Sequence, residues 1–197
     1  MDAFSDGQMA SKLWLCEQLE ALDEAGKISV GTVWVFGSWY ATLPLLLLAR
    51  GKARITKVVC FDTDPKANRI AEKILNHWIC EGMNIHIERM DCAEVLQTGS
   101  KFLNELPDII INTSCEHMNY DWWSQIPAGV KFAAQSTNMV HPTHSNTAST
   151  LQDFTSKLQP SEIYYSGEKN FDYPNLKFKR YLLIGKKTEQ SAKGEKF

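Results

Sequence analysis

One stretch decides the fold of this chain, Thr32–Asp64, which reads TVWVFGSWYATLPLLLLARGKARITKVVCFDTD. Within it, Val33–Phe36 is a short apolar run with β-branched and aromatic residues, which predicts a buried strand that stops at Gly37. Leu43–Ala49 is apolar on every side, as expected of a helix pressed against a sheet. Lys57–Phe61 predicts a second buried strand. The stretch therefore has the layout of a strand–helix–strand unit with parallel strands.

Acidic residues follow the second predicted strand. Ligands of open parallel sheets bind outside the carboxyl ends of the strands, where an acid can accept hydrogen bonds from both hydroxyls of a ribose. Asp62 stands at this strand tip and is the predicted ribose ligand, with Thr63 beside it. The Asp64-Pro65 pair instead predicts the N-cap and first residue of the next helix. The simpler alternative is that Gly37 is an ordinary turn and that the acids only cap a helix.

The composition excludes several classes of protein. Hydrophobic residues make up 44% of the 197 residues and charged residues 22%, which is ordinary for a soluble globular domain. The net charge of −2 gives no overall field that would attract nucleic acid or an anionic membrane. No apolar run approaches the roughly 18–20 residues of a membrane span, and the N-terminus shows no export signal. We therefore expect neither a membrane nor a nucleic acid as partner.

The cysteines indicate a reducing environment. Their number is odd, no Cys-x-x-Cys pair occurs, and Cys60 lies in a predicted buried strand. This pattern favours free thiols in a cytoplasmic protein over a disulfide framework or a zinc–thiolate site. The five cysteines are Cys16, Cys60, Cys80, Cys92 and Cys115.

Helices and strands alternate along the rest of the chain. Apolar periodicity predicts helices at Met9–Ala25, Pro65–Ile79, Tyr120–Ile126 and Ser149–Leu158. Further strands are predicted at Ile85–Met90, Asp108–Asn112, Val130–Ala134, Glu162–Tyr165 and Phe178–Ile184, with a polar loop at Gly167–Asn175. We expect one domain over residues 1–187 and a flexible, Lys-rich tail over residues 188–197.

The order of these elements predicts the fold class. There are seven predicted strands, and the last two are joined without a helix, so the final strand is expected to be antiparallel to the others. An α/β fold with a doubly wound, mostly parallel seven-stranded sheet results. Over residues 32–187 it resembles the Rossmann-like fold of class I S-adenosylmethionine-dependent methyltransferases. The resemblance implies S-adenosylmethionine as cofactor and methyl transfer as the reaction.

The motifs of that family match this chain at several positions. Val33–Ala41 stands where the family has its glycine-rich turn under the methionine part of the cofactor, so Gly37, Ser38 and Trp39 are implied contacts. Asp62 matches the ribose-binding acid.

Two more positions follow from the resemblance. Asp91 and Cys92 stand where the family has an acid near the adenine amino group and then a backbone N–H that reaches a ring nitrogen. Asn112 opens the loop that lies beside the transferable methyl group in the family.

The chain departs from the family in the same motifs. The family has an acid where Val35 stands, and glycines where Trp39 and Ala41 stand. Glycine is useful there because its missing side chain lets a ligand approach the backbone. After Asn112 the chain lacks the Asn-Pro-Pro-Tyr signature of many amino-group methyltransferases, so the acceptor cannot be assigned from that group.

Candidates for chemistry leave the fourth strand on the cofactor side. Glu116 and His117 are the predicted catalytic residues, because either could take a proton from a hydroxyl or ammonium acceptor. The alternative is structural: His117 would brace the loop through a backbone hydrogen bond, and Glu116 would cap the next helix.

The loop after the fifth strand supplies the predicted acceptor pocket. Its uncharged hydrogen-bonding groups indicate a small polar acceptor, because buried donors need partners. A satisfied surface loop is the alternative. A zinc or iron site formed by Glu116, His117, His141 and His144 is conceivable, but the adjacent Glu116 and His117 do not naturally point the same way, and no metal is predicted. The predicted substrate-binding residues are Gln135, Asn138, His141 and His144.

The predicted function is a cytoplasmic S-adenosylmethionine-dependent methyltransferase that acts on a small polar molecule. One alternative keeps the cofactor but moves its aminocarboxypropyl group. Another is a methyltransferase-like binding module that has lost the cofactor with its glycines. A nicotinamide-dependent oxidoreductase is less similar, since the glycine fingerprint is missing. The oligomeric state is not predicted.

Overall fold

The computed structural model describes residues 3–97, 100–102, 104–174 and 176–188. The strands are β1 Thr32–Phe36, β2 Lys57–Asp62, β3 Asn84–Arg89, β4 Ile109–Asn112, β5 Lys131–Thr137, β6 Glu162–Tyr173 and β7 Leu176–Lys186. The helices are α1 Asp6–Glu24, α2 Thr42–Arg50, α3 Pro65–Cys80, α4 Asp121–Gln125 and α5 Leu151–Leu158. Apart from Thr188, the predicted tail at residues 188–197 lies outside the described residues.

All seven strands belong to one sheet, in the order β3-β2-β1-β4-β5-β7-β6. The pairs among the first five strands are parallel, whereas β7 runs antiparallel to both β5 and β6. The predicted fold class, a mostly parallel seven-stranded sheet with an antiparallel C-terminal strand, is confirmed. The strand order reverses at β1, which pairs with β2 on one side and β4 on the other. Such a switch point leaves a crevice for ligands at the carboxyl ends of the strands.

Helices cover both faces of the sheet, and alternate residues of β1 contact different layers. Val33 and Val35 pack in a cluster with residues of α1 and α2. Trp34 and Phe36 pack in a second cluster, with residues of α4 and α5. This alternation follows from the pleat of a strand that is covered on both faces. No helix in the described ranges is both long and apolar enough to cross a membrane.

Helix α1 begins three residues before its predicted start. The side chain of Ser5 caps it by accepting a hydrogen bond from the backbone N–H of Gln8 at 3.5 Å. The earlier start places Gln8 within the helix, one turn before Lys12. Lys12 is buried together with Leu15 and other apolar residues of α1.

Strands β5 and β6 continue well past their predicted ends. The predicted loop Gly167–Asn175 is wrong over Gly167–Tyr173, because β6 continues to Tyr173 and pairs with β7 throughout. An edge strand can carry polar residues on its exposed side, so it lacks the apolar pattern that predicts strands. The fifth strand was predicted to end at Ala134, yet β5 continues to Thr137 in register with β7.

Candidate functional site

A cavity of about 800 Å³ opens at the carboxyl ends of the strands, beside the switch point. Its walls come from α1, the turn after β1, the tip of β2, and the loops after β3, β4 and β5. Asp62 and Asp91 both line it, so the two acids predicted to contact one ligand do share one cleft. His117, His141 and His144 line the same cavity from the loops after β4 and β5.

The turn after β1 requires glycine at its first position. Gly37 has a φ of +58°, in the left-handed region that L side chains rarely adopt. A Cβ atom at this residue would lie 2.9 Å from the Cε atom of Met118 and 3.3 Å from the Cβ atom of Ser114. The hydroxyl of Ser114 also donates a hydrogen bond to the carbonyl of Gly37 at 3.3 Å. The turn is therefore packed directly against the loop after β4.

The turn keeps its left-handed backbone without further glycines. Trp39 has a φ of 50° and Ala41 a φ of 56°, at the two positions where the resembled family has glycine. Left-handed backbone costs an L residue roughly 1–2 kcal/mol. Asp62 offsets part of this cost, because its Oδ2 atom accepts a hydrogen bond from the backbone N–H of Trp39 at 2.8 Å. The indole ring of Trp39 stacks on Tyr40, with ring centroids 4.4 Å apart.

The tip of β2 combines two carboxylates with different partners. The Oδ1 atom of Asp62 accepts from the backbone N–H of Asp64 at 2.9 Å. Each oxygen of Asp62 therefore has one backbone donor, and its second lone pair remains for a ligand hydroxyl. Asp64 caps α3 by accepting from the backbone N–H of Lys66, so its predicted role as N-cap is confirmed. Thr63 lies between the two acids and lines the cavity.

The loop after β3 contributes Asp91 and Cys92 to the cavity. The Oδ1 atom of Asp91 accepts from the backbone N–H of Ala93 at 2.9 Å. Burial, and then the charge of Asp91, raise the pKa of the Cys92 thiol to about 12, which keeps it neutral at physiological pH.

Asn112 stands outside the cavity lining. It is fully buried, its Nδ2 atom donates to the sulfur of Met118, and its Oδ1 atom accepts from the backbone N–H of Ser114 at 2.8 Å. Asn112 thus braces the loop after β4, while Thr113 and Ser114 face the cavity. Its predicted contact with the cofactor stays a prediction.

Glu116 lies in a 3₁₀ turn, Cys115–His117, and lines the cavity although it is fully buried. One of its oxygens, Oε1, forms an ion pair with Arg180 of β7. Its other oxygen, Oε2, is buried and has no hydrogen-bond partner within the described residues. A buried carboxylate oxygen without a partner is costly, so it is suited to accept a hydrogen bond from a ligand.

The histidines are oriented by the backbone. The Nδ1 atom of His117 lies 3.1 Å from the carbonyl oxygen of Thr143, and that of His144 lies 2.7 Å from the carbonyl oxygen of Met139. Because a carbonyl oxygen only accepts, each Nδ1 carries a hydrogen, and in the neutral form of each ring Nε2 is the acceptor. The rings of His117 and His144 meet edge to face, with centroids 4.7 Å apart.

Two predicted substrate-binding residues do not reach the cavity. Gln135 is buried and exchanges hydrogen bonds with the hydroxyl and carbonyl of Ser11 in α1, at 3.2 and 3.0 Å. Asn138 accepts from the backbone N–H of Lys179 at 2.7 Å. Gln135 lies within the sheet because β5 continues to Thr137, and there it bonds to α1. The predicted substrate contacts of Gln135 and Asn138 stay predictions.

The sequence prediction missed two cations that line the cavity, Lys12 of α1 and Arg180 of β7. Lys12 is 8% exposed, and its ammonium donates to the Oε1 atom of Gln8 at 2.5 Å. Burial, and then the charge of Arg180, lower the pKa of Lys12 to about 8. A signal existed for Lys12, because it precedes Leu15 and Leu19 by three and seven residues and so lies on the apolar face of α1.

Glu116, His117 and His144 could also hold a metal ion. Their potential ligand atoms lie within 4.8 Å of one another, and a carboxylate with two imidazoles is a reasonable donor set for zinc or iron. Lys12 and Arg180 line the same cavity, however, and Arg180 occupies one oxygen of Glu116. Two positive charges beside one carboxylate disfavour a further cation.

Comparisons with known proteins support the fold only through solved structures. Neither a protein-family model nor a curated protein matches the chain. The N-methyltransferase NodS from Bradyrhizobium japonicum matches at 10% identity and a TM-score of 0.63, over 93% of this chain and 99% of its own.

Two matching structures were solved with the cofactor or its product. Magnesium protoporphyrin IX methyltransferase from Synechocystis, with bound S-adenosylmethionine, matches at 13% identity and a TM-score of 0.60, over 94% of this chain and 85% of its own. TrmK from M. capricolum, with S-adenosylhomocysteine, matches at 14% identity and a TM-score of 0.56, over 91% and 71%. The chain therefore has the fold of class I S-adenosylmethionine-dependent methyltransferases.

Proposed function

We propose that this protein binds S-adenosylmethionine in the cavity and transfers its methyl group to a small polar acceptor. The observation that carries the proposal is that Asp62 and Asp91, at the tips of neighbouring strands, line one cavity together with the Gly37 turn. The matching structures that contain S-adenosylmethionine or S-adenosylhomocysteine support this choice of ligand. All five cysteines are free, which supports a reducing compartment such as the cytoplasm.

The residues around the tips of β2 and β3 and the start of α2 suit the cofactor. Asp62 retains a lone pair on each oxygen for the two ribose hydroxyls. Asp91, which lines the same cavity, would accept from the adenine amino group. Thr42, in the first turn of α2, lines the cavity, and its buried Oγ1 atom has no hydrogen-bond partner within the described residues. This hydroxyl and the adjacent turn backbone would hold the methionine part.

At the other end of the cavity, the chain offers two proton acceptors. When bound, the cofactor supplies an electrophilic methyl carbon, and the protein has to orient the acceptor, exclude water and remove a proton. The free Oε2 atom of Glu116 and the Nε2 atom of His117 can each take that proton. His141 and His144 would contact the polar groups of the acceptor.

Isothermal titration with S-adenosylmethionine and S-adenosylhomocysteine tests the cofactor. We expect both to bind, and the absence of binding at millimolar concentration would reject the proposal. Mass spectrometry of the turnover products then tests the reaction. S-adenosylhomocysteine is the product of methyl transfer, whereas methylthioadenosine would show that the aminocarboxypropyl group moves instead.

A further inference from the structure

The part of the cavity formed by α1, β7 and the loop after β4 has an unbalanced charge. It contains the cations Lys12 and Arg180 and the carboxylate of Glu116, which are 8%, 6% and 0% exposed. Arg180 is paired with Glu116. The ammonium of Lys12 has a neutral partner, the side-chain oxygen of Gln8, and forms no ion pair within the described residues. One positive charge is therefore left without a counterion.

Such a charge is costly in the interior of a protein. A buried ammonium loses its hydration, and only a paired and hydrogen-bonded partner compensates for that loss. Lys12 lies on the face of α1 that also buries Leu15 and Leu19, where an apolar residue would pack at lower cost. Because Lys12 lines the cavity, a ligand can supply the counterion that the described residues do not provide.

The chemistry of the ligand follows from the groups that remain free. An ammonium beside a guanidinium matches a carboxylate or phosphate, since charge-assisted hydrogen bonds to such anions are strong. The free Oε2 atom of Glu116 accepts hydrogen bonds and so matches an N–H or O–H group close to that anion.

We propose that Lys12 and Arg180 form an anion subsite, and that the methyl acceptor carries a carboxylate or phosphate there with its nucleophilic N–H or O–H directed to Glu116. The identity of the anion as part of a methyl acceptor rests on the proposed function. In the transfer, the acceptor nitrogen or oxygen forms a bond to the methyl carbon as the carbon–sulfur bond breaks. The electron pair of that bond stays on sulfur, and the acceptor proton passes to Glu116.

The carboxylate of the cofactor itself is a second anion that could bind to Lys12 and Arg180. The test therefore uses protein saturated with S-adenosylhomocysteine and titrates inorganic phosphate as the probe. We expect phosphate to bind, and Lys12→Met to weaken it about tenfold or more, since a hydrogen bond to a charged group contributes about 1.5–3 kcal/mol. Lys73→Met removes an exposed lysine of α3 and should leave phosphate affinity unchanged.

Two results would overturn the subsite as an acceptor site. One is that phosphate fails to bind the wild-type protein at millimolar concentration. The other is that Lys12→Met weakens S-adenosylhomocysteine about tenfold but leaves its decarboxylated analogue unchanged, which would assign the lysine to the cofactor carboxylate. A thermal melt of Lys12→Met confirms that the variant is folded before either result is interpreted.

The subsite and the proposed function can fail separately. If S-adenosylhomocysteine does not bind, the proposed function is rejected, and phosphate is then titrated into the unliganded protein. Binding that is lost in Lys12→Met and kept in Lys73→Met would retain the anion subsite, whereas equal affinities of all three proteins would reject it too.

Discussion

The two ends of the cavity satisfy their polar groups in different ways. At the tip of β2, both oxygens of Asp62 accept hydrogen bonds from the backbone of the chain itself. Around Glu116, one carboxylate oxygen has no partner within the described residues, and Lys12 forms no ion pair there. The end at Asp62 is therefore organised before a ligand arrives, whereas the end at Glu116 carries a buried positive charge that an anionic ligand would neutralise.

This difference explains why the two ends tolerate different changes. The turn after β1 keeps its left-handed backbone with Trp39 and Ala41 because packing and Asp62 hold it. Around Glu116, the buried carboxylate instead depends on its ion pair with Arg180. Removing a charge should therefore have the larger effect there.

The largest expected effect comes from Arg180→Met. This change leaves the fully buried carboxylate of Glu116 without its partner, and we expect a loss of about 3–5 kcal/mol in the free energy of unfolding. Urea denaturation measures it. The double variant Glu116→Gln/Arg180→Met, which removes both charges, should regain most of the stability. A single variant as stable as wild type would contradict the importance of this pair.

Lys12→Met should act in the opposite direction. The folded pKa of Lys12, about 8, lies below the ordinary value of 10.5, because of burial and then the charge of Arg180, with Glu116 and Cys16 as the other facing groups. Below pH 8 the charged lysine therefore destabilises the fold, and the variant should be more stable by up to about 3 kcal/mol.

The pH dependence checks the sign of that effect. Between about pH 8 and 10.5 the unfolded chain holds the Lys12 proton and the folded chain does not, so wild-type stability rises with pH in this window. The difference between wild type and Lys12→Met should shrink over the same range in urea titrations. A difference that stays constant with pH would show that burial does not lower the pKa of Lys12.

A smaller effect is expected at the cofactor end. Asp62→Ala should weaken S-adenosylhomocysteine binding by about 1–3 kcal/mol, the cost of leaving ribose hydroxyls unpaired. Asp64→Ala is the matched control, because Asp64 caps α3. The control should lose about 1 kcal/mol of stability and keep its affinity in isothermal titration. If both variants bind S-adenosylhomocysteine as tightly as wild type, Asp62 does not contact the ribose.

The smallest effect is expected for Ala41→Gly. Glycine relieves a left-handed backbone that costs roughly 1–2 kcal/mol, but the change also removes a fully buried methyl group worth about 0.8 kcal/mol. The net change in unfolding free energy should be at most about 1 kcal/mol, in the stabilising direction. Ala41→Val, with a β-branched side chain at the same backbone angle, should instead destabilise. A strongly destabilised glycine variant would show that the methyl group shapes the turn.

Most of the sheet, and the acids at the tips of its strands, could be predicted from the sequence. Buried parallel strands such as β1 and β4 are short apolar runs, and acids at their tips are visible as soon as the strands are placed. The edge strand β6 was missed in part, because one exposed side leaves no apolar pattern.

The end of the cavity around Glu116 could be predicted only in part, since its arrangement depends on contacts between residues that are distant in sequence. Glu116 and Arg180 meet across 64 positions, and nothing near Arg180 in the sequence indicates a buried ion pair. Gln135 was assigned to a loop because its strand was predicted to be too short, and its partner Ser11 lies 124 positions away. Burial of polar residues is decided by such contacts and not by local pattern.

A structure of the protein with S-adenosylhomocysteine bound is the most direct test of how the cavity is used. We predict that the adenosine lies between Asp62 and Asp91 and that the sulfur atom faces Glu116 and His117. Adenosine bound outside this cleft, or a sulfur atom directed away from Glu116, would contradict the division of the cavity into a cofactor end and an acceptor end.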